Sequence, residues 1–242
     1  MRSWPRTSWR RASSSRRAKK ALSGSARAKG MTGYRTLAAK GEAELVIQRS
    51  RFIGRGFPVE SEAAALAILA DIRKAHWDAS HNCFAYRIGP DGGCARYSDD
   101  GEPGGTAGLP MMEVLKSRGL TDLLVVVTRY FGGILLGAGG LVRAYSRSAA
   151  AAIQEAGEVA VLPALRYHIT IPYNRYGGLE ALLRERAMVE AVDFGQDVQV
   201  TALVETAQAP GFCKAVTEKS DGRCTPALLG EGWLRRPCPP RD

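Results

Sequence analysis

The sequence predicts an α+β protein with two small domains, and three observations support this fold class. The chain has 242 residues, which is long enough for two compact domains that each bury a core. Residues 123–129 open with a run of apolar side chains, as expected for a strand at the centre of a sheet. From residue 165 onward the predicted elements follow the order βαββαβ, which is typical of a ferredoxin-like sandwich.

Local signals define the elements of the first half. Ser61 is suited to cap a helix over residues 62–75, Pro110 suits the first turn of a second helix, and Gly157 ends a third. The predicted elements are strands over 43–49, 51–59, 82–88, 95–98 and 123–129, and helices over 62–75, 110–118 and 141–156.

A boundary between the domains is predicted near residues 161–164, where residues 159–163 form a bridge to a new series of elements. We therefore expect an N-terminal domain over 31–162 and a C-terminal ferredoxin-like domain over 163–242. The predicted elements of the second domain are strands over 165–171, 188–194 and 198–205 and a weak last strand over 223–229, with helices over 176–187 and 210–220.

The positive charge of the chain is concentrated at its start. The formal net charge is +10, but residues 1–30 contain ten basic residues and no acid, and the remaining chain carries bases and acids in equal number. Net charge therefore gives no argument that the folded part binds a polyanion. Residues 1–30 are predicted to be a disordered basic extension. Three interpretations stay open: a start-site artefact with translation beginning at Met31, a nucleic-acid-binding arm, or a transit peptide.

The apolar runs and the cysteines indicate a soluble, cytoplasmic protein. No apolar run approaches the roughly 18–20 residues that a membrane-spanning helix needs, so no membrane association is expected. The five cysteines are odd in number and form no C-x-x-C pair, which suits neither a disulfide framework nor a zinc site. Cys83 is predicted to be a small core residue, and we expect no bound metal or cofactor.

The first candidate site segment is an acidic loop, residues 99–108. It combines three carboxylates, those of Asp99, Asp100 and Glu102, with Thr106 and several glycines. Such a loop is able to bind a divalent cation or the basic groups of a partner. The alternative is a solvated turn in which the aspartates and glycines serve the backbone geometry.

The second candidate segment is a glycine turn, residues 132–140, between a predicted central strand and a helix. Glycines let the backbone approach a ligand closely, and the free amides of a first helical turn favour an anion. The segment matches neither a P-loop nor a dinucleotide fingerprint, and close packing of the helix on the sheet is the alternative. The candidate anion-binding residues are Arg129, Gly132, Gly133, Gly137, Gly139, Gly140 and Arg143.

Histidine is scarce, and His81 is the candidate with a functional interpretation. It forms an acid–base pair with Asp99 or Asp100 if the loops converge. His168 alternates within a predicted strand and is interpreted as structural. No G-x-S-x-G elbow occurs, which argues against an α/β-hydrolase type of serine enzyme.

Several uncommon motifs in one order, from about residue 34 to 155, carry a resemblance to the YigZ/IMPACT family, with the bacterial YigZ branch the more similar. The motifs are S-R-F-I at 50–53, H-N-C at 81–83, S-D-D-G-E-P at 98–103 with T-A-G at 106–108, and R-Y-F-G-G-I-L-L-G at 129–137 with G-G-L at 139–141. The resemblance implies that residues 31–162 are an IMPACT-type domain, like the second domain of a small-subunit ribosomal protein and a domain of GHMP kinases. It also implies a C-terminal domain like the last domain of elongation factor G.

The resemblance implies a role in translation without an attached enzymatic activity. The eukaryotic IMPACT protein competes for an activator of a stress kinase, but its dedicated protein-binding domain has no counterpart here. The P-C-P-P tail at 237–240 also has no counterpart in the family. Together with the weak last strand, this makes the edge of the second sheet the least defined part of the predicted fold.

The leading hypothesis is a translation-associated regulatory factor that binds RNA or the ribosome without catalysis. The acidic loop, the glycine turn and the exposed sheet of the second domain would form its surface. One alternative is an enzyme or binding protein for a phosphorylated or nucleotide ligand at the glycine turn, with the acidic loop around a cation. Another is a module that uses the same loops to bind a protein partner.

Overall fold

The computed structural model describes residues 32–238, in which strands and helices alternate in two groups around two sheets. Residues 1–30, the predicted basic extension, lie outside the described residues. The strands are β1 (Tyr34–Leu37), β2 (Gly41–Ile47), β3 (Ser50–Pro58), β4 (His81–Ile88), β5 (Cys94–Ser98), β6 (Leu123–Tyr130), β7 (Glu158–Ile171), β8 (Met188–Phe194), β9 (Val198–Glu205) and β10 (Ala227–Pro237). The helices are α1 (Glu62–Ala75), α2 (Gly108–Ser117), α3 (Ala138–Ala156), α4 (Tyr173–Arg186) and α5 (Ala209–Lys219).

The first sheet is antiparallel, with the strand order β2-β3-β6-β4-β5 and helices on both faces. Alternate residues of β6 enter different cores, because successive side chains of a strand point to opposite faces. Val125 and Val127 pack in the core that also contains α2 and α3 residues, whereas Leu124 and Val126 pack with residues of α1. The prediction that β6 is the central strand is confirmed.

Helix α1 begins where the sequence predicts, because Ser61 supplies its cap. The hydroxyl of Ser61 accepts a hydrogen bond from the backbone N–H of Ala64 at 3.2 Å, and Ser61 has extended backbone angles. This bond satisfies one of the amides that the first turn of a helix leaves without a partner.

Ser61→Ala is therefore expected to lower the free energy of unfolding by about 1 kcal/mol, which urea denaturation measures. Ser61→Asp keeps an acceptor at the same place and serves as the matched control. Equal destabilisation of both variants would show that the cap bond contributes nothing.

The second sheet has the predicted βαββαβ unit, with the strand order β10-β7-β9-β8 and antiparallel pairing throughout. Helices α4 and α5 cover one face, where Ile169, Val200 and Phe212 share a core. Among the described residues, α4 and α5 leave the other face uncovered, and two polar pairs lie on it. Arg166 bonds Glu190 at 2.7 and 2.9 Å, and the hydroxyl of Thr170 donates to the Gln199 side chain at 2.7 Å. The fold is α+β with two domains, as predicted.

The second sheet differs from the prediction along β7 and at β1 and β10. Strand β7 is continuous through the predicted bridge at 159–163, and β1, which was not predicted, pairs antiparallel with the first residues of β7. Strand β10 is longer than the weak strand predicted at 223–229 and follows β7 from His168 to Val159. The edge of the second sheet is therefore well paired, while the domain boundary at 162/163 stays a prediction.

Within residues 32–238, no helix is long and apolar enough to cross a membrane.

Candidate functional site

A cleft of about 390 Å³ opens where the start of β4, the acidic loop, the end of β6 and the glycine turn meet. Its polar lining comes from His81, Glu102 and Arg129. Its apolar lining includes Phe131, Leu135 and Leu141. The cleft therefore joins both candidate segments and His81, although the residues within each segment have different roles.

Glu102 forms the centre of a buried network under the cleft. Its Oε1 accepts from Nη1 of Arg129 at 2.6 Å and from the Tyr145 hydroxyl at 2.7 Å. Glu102 is 8% exposed and Arg129 is 5% exposed, so water screens this ion pair weakly. Burial raises the pKa of Tyr145 far above its ordinary value, and the hydroxyl therefore stays protonated as a donor.

The two terminal nitrogens of the Arg129 guanidinium are bonded inside the protein, whereas its buried Nε has no hydrogen-bond partner among the described residues. It lies against the rings of Phe52 and Phe131, each with its centroid 5.4 Å away, and Nη2 donates to the Ser50 hydroxyl at 3.3 Å. Its charge is neutralised by Glu102, so the sequence-based assignment of Arg129 as a source of charge for an anion does not hold. Arg129 instead makes a cation–π contact with the Phe131 ring.

Asp99 organises the acidic loop rather than facing a ligand. Its carboxylate accepts from the backbone amides of Gly105 at 2.9 Å, Ala107 at 3.0 Å and Gly108 at 2.8 Å. Partial burial works to raise the pKa of Asp99, but these three donors outweigh it and hold the pKa below its ordinary value. The carboxylate thus fixes the turn that leads into α2 in its ionised form.

The other polar groups of the acidic loop have separate partners. Asp100 pairs with Arg73 at 2.8 Å and accepts from the backbone amide of Asn82 at 2.7 Å. The Thr106 hydroxyl donates to the carbonyl of Pro103 at 2.6 Å. In the described part of the chain, no group of three His, Cys, Asp or Glu side chains is arranged to hold a metal ion. The contacts of Asp99 and Thr106 are those expected from the turn interpretation.

His81 lies in the cleft, but its carboxylate neighbour differs from the predicted one. Its Nδ1 is 2.9 Å from the backbone carbonyl of Asp100, not from either aspartate side chain. The carboxylate nearest to its Nε2 is that of Glu102, with Oε2 at 3.8 Å. The predicted pair with Asp99 or Asp100 is therefore wrong, since both carboxylates are held by other donors.

Cys83 lies behind the cleft and is a core residue, as predicted. Its side chain is fully buried, and its Sγ donates to the carbonyl of Asp99 at 2.9 Å. Burial raises the pKa of the thiol to about 12, which leaves it protonated near neutral pH.

The glycine turn presents an open helix start. Helix α3 begins at Ala138, earlier than the predicted residue 141, because Gly137 adopts φ 69° and redirects the chain. The first turn has no side-chain cap, and the N–H of Leu141 is the first to bond back, to the Gly137 carbonyl at 3.0 Å. The amides of residues 138–140 thus have no partner within the helix, and Ala138 places the first of them at the cleft, where a helix start favours an anion.

The glycines of the turn divide into packing and open positions. A Cβ on Gly132 would lie 2.0 Å from the Arg49 carbonyl oxygen, so this glycine permits close packing of two chain segments. Gly133 and Gly137 have positive φ and open space around them. Gly132 therefore serves the fold, whereas Gly137 contributes directly to the cleft.

Arg143 and Gly140 face a second, smaller cleft of about 160 Å³ beside the first. Arg147, one turn further along α3, also lines it, and both arginine side chains are exposed. Within residues 32–238, neither arginine forms an ion pair. Both clefts share Leu136, so the turn separates a neutral, partly apolar site from a basic one.

The apolar surface of the cleft was not predicted from the sequence. Phe131 is 47% exposed and Leu135 is 85% exposed, although both lie in an apolar run. The available signal was that this run is interrupted by glycines and has neither strand nor helix periodicity, which is typical of a loop whose apolar side chains reach the surface.

Comparisons with known proteins identify the class of protein to which this chain belongs. Residues 48–153 match the Impact N-terminal domain, and residues 169–223 match a domain of unknown function (DUF1949). The first match covers β3 to β6 with α1 and α2 and most of α3, and the second covers α4, β8, β9 and α5, so the chain has the two-domain organisation of this class. The chain belongs to the IMPACT family, as its motifs predicted.

Individual relatives support the assignment. The IMPACT family member YvyE of Bacillus subtilis is 41% identical over 191 residues, which is 78% of this chain and 88% of the relative. The IMPACT family member YigZ of Escherichia coli is 40% identical over 139 residues, 57% of this chain and 68% of the relative. A crystal structure of a protein described as hypothetical is 33% identical, with a TM-score of 0.53, over 82% of this chain and 98% of that chain.

Proposed function

We propose that this protein is a non-catalytic, translation-associated factor whose cleft binds single-stranded RNA, free or within the ribosome. The observation that carries the proposal is the presence of the exposed Phe131 ring and the open start of α3 in one cleft. An aromatic ring stacks an unpaired base, which contributes about 1–3 kcal/mol per base. The free amides of a helix start bind the phosphate of the same chain.

The charges around the cleft support a polyanionic ligand. Arg143 and Arg147 extend a phosphate-binding path from the start of α3 along the helix. The nearby acids do not oppose it, because Glu102 is paired with Arg129 and Asp100 with Arg73. For single-stranded RNA, two phosphate contacts correspond to a slope of about −1.4 when the logarithm of the binding constant is plotted against the logarithm of the salt concentration.

The chemistry of the buried groups supports binding without catalysis. Burial keeps the Cys83 thiol and the Tyr145 hydroxyl protonated, and Glu102 is held by Arg129. None of these three is poised as a nucleophile. The open face of the second sheet, where Arg166 is paired with Glu190, would add a weaker contact area to the same complex.

Phe131→Ala in the full chain is expected to weaken RNA binding about tenfold, because it removes one stacking contact. Fluorescence anisotropy with a short single-stranded RNA measures the Kd. Phe194→Ala is the matched control, since Phe194 is 62% exposed but contacts Tyr173 and Tyr176 in the second domain. Equal RNA affinity of the wild type and Phe131→Ala would show that the cleft is not part of the RNA-binding surface.

The salt dependence gives an independent test in the same chain. The double variant Arg143→Ala/Arg147→Ala should flatten the salt slope by about 1.4, while the basic extension contributes equally to both proteins. An unchanged slope would contradict the phosphate path. Thermal stabilisation by a mononucleotide, with no RNA bound at any salt concentration, would favour the alternative of a nucleotide-binding enzyme instead.

A further inference from the structure

We infer that the base held in the cleft is an unpaired guanine, read through its N1–H and N2–H groups by His81 and Glu102. The inference rests on the proposed RNA-binding function and extends it to the identity of the base. It is carried by two hydrogen-bond acceptors that lie side by side on the lining of the cleft.

The tautomer of His81 follows from its partner. Its Nδ1 lies 2.9 Å from the Asp100 carbonyl, and a carbonyl oxygen only accepts hydrogen bonds. Nδ1 therefore carries the proton, and in the neutral ring Nε2 is an acceptor. The same contact fixes the ring orientation, so Nε2 keeps its place beside Glu102.

Glu102 supplies the second acceptor. Both of its strong hydrogen bonds, from Arg129 and Tyr145, end on Oε1. Across the described residues 32–238, no donor bonds to Oε2, whose neighbour is His81 Nε2 at 3.8 Å. Both acceptors line the open cleft, so a ligand that presents two adjacent donors would satisfy them together.

Guanine is the base whose pairing edge fits this pair of acceptors. Its N1–H and N2–H₂ are adjacent donors, and N2–H₂ is absent from the other bases. Adenine and cytosine place one amino group beside an acceptor nitrogen, and uracil flanks its single N–H with two carbonyls. Each of these edges would direct an acceptor at Glu102 or His81. Single-stranded bases are commonly recognised on this edge.

The walls of the cleft are consistent with a base that enters edge first. Glu102 is 8% exposed and lies deep in the cleft, whereas Phe131 and Leu135 are exposed at its rim. A base stacked on Phe131 would direct its pairing edge inward. A two-point contact of this kind discriminates between bases by about tenfold or more, since a good bidentate pair contributes about 1–3 kcal/mol.

The test uses the full chain and short oligouridine RNAs that carry one central guanosine, inosine, adenosine or uridine. Inosine keeps N1–H and the ring shape of guanine but lacks the N2 amino group. Anisotropy at fixed salt is expected to give about tenfold tighter binding for guanosine than for inosine or adenosine. His81→Ala should remove this preference, whereas His168→Ala, on the second sheet, should preserve it.

The outcomes separate the two proposals. RNA bound equally well with guanosine and inosine would overturn the guanine inference and leave the proposed RNA-binding function standing. A preference that survives His81→Ala would overturn the role of the acceptor pair. Free guanosine monophosphate bound by a protein that binds no RNA would overturn both proposals and identify a mononucleotide site.

Discussion

Replacing Glu102 by alanine is expected to lower the free energy of unfolding by about 3–5 kcal/mol. The substitution leaves the Arg129 guanidinium, which is 5% exposed, without its counter-charge, and leaves the Tyr145 hydroxyl without its acceptor. A buried charge without a partner is among the most destabilising changes in a protein core. Urea denaturation, followed by circular dichroism, measures the effect.

Glu113→Ala is the matched control for this prediction. Glu113 also pairs with a basic residue, Lys116 at 3.4 Å, but its side chain is 61% exposed. An exposed pair of this kind contributes little, so the control should stay within about 0.5 kcal/mol of wild type. The double variant Glu102→Gln/Arg129→Met, which removes both charges, should be less destabilised than the sum of its two single variants. Similar small losses for Glu102→Ala and Glu113→Ala would contradict the buried network.

Gly54→Ala is expected to destabilise the protein by about 3 kcal/mol, at the upper end of the range for overpacked cores. A Cβ at this position of β3 would lie 2.4 Å from the backbone carbonyl oxygen of Ser148 in α3. Backbone atoms cannot rotate away as a flexible side chain does, so the helix must shift from the sheet. The same denaturation measurement applies.

Gly104→Ala provides the comparison for Gly54→Ala. Gly104 lies in the acidic loop with open space around its Cβ position and without a positive φ. Its replacement should leave stability unchanged or raise it slightly, because alanine restricts the unfolded chain. If both variants were equally stable, the close contact of α3 with β3 would not be a determinant of the fold.

The site was predictable in outline because its segments break the local patterns around them. The acidic loop and the glycine turn stood out as irregular stretches between periodic elements, and both line the cleft with His81. The roles of the three carboxylates were not predictable. Asp99, Asp100 and Glu102 are neighbours in the chain, yet turn geometry directs them to backbone amides, to Arg73 and to Arg129 respectively. For Asp100 and Glu102, the donors Arg73 and Arg129 lie more than twenty residues away in the chain.

By itself, the sequence determined the α+β class, the order of the helices, and the central place of β6, because side-chain periodicity and capping residues such as Ser61 act over a few neighbouring positions. The tertiary structure alone decided that β1 joins the second sheet, that Arg129 is neutralised by Glu102, and that Phe131 stays exposed. Each of these depends on strand pairing or burial between residues that are distant in the chain, which local propensity does not encode.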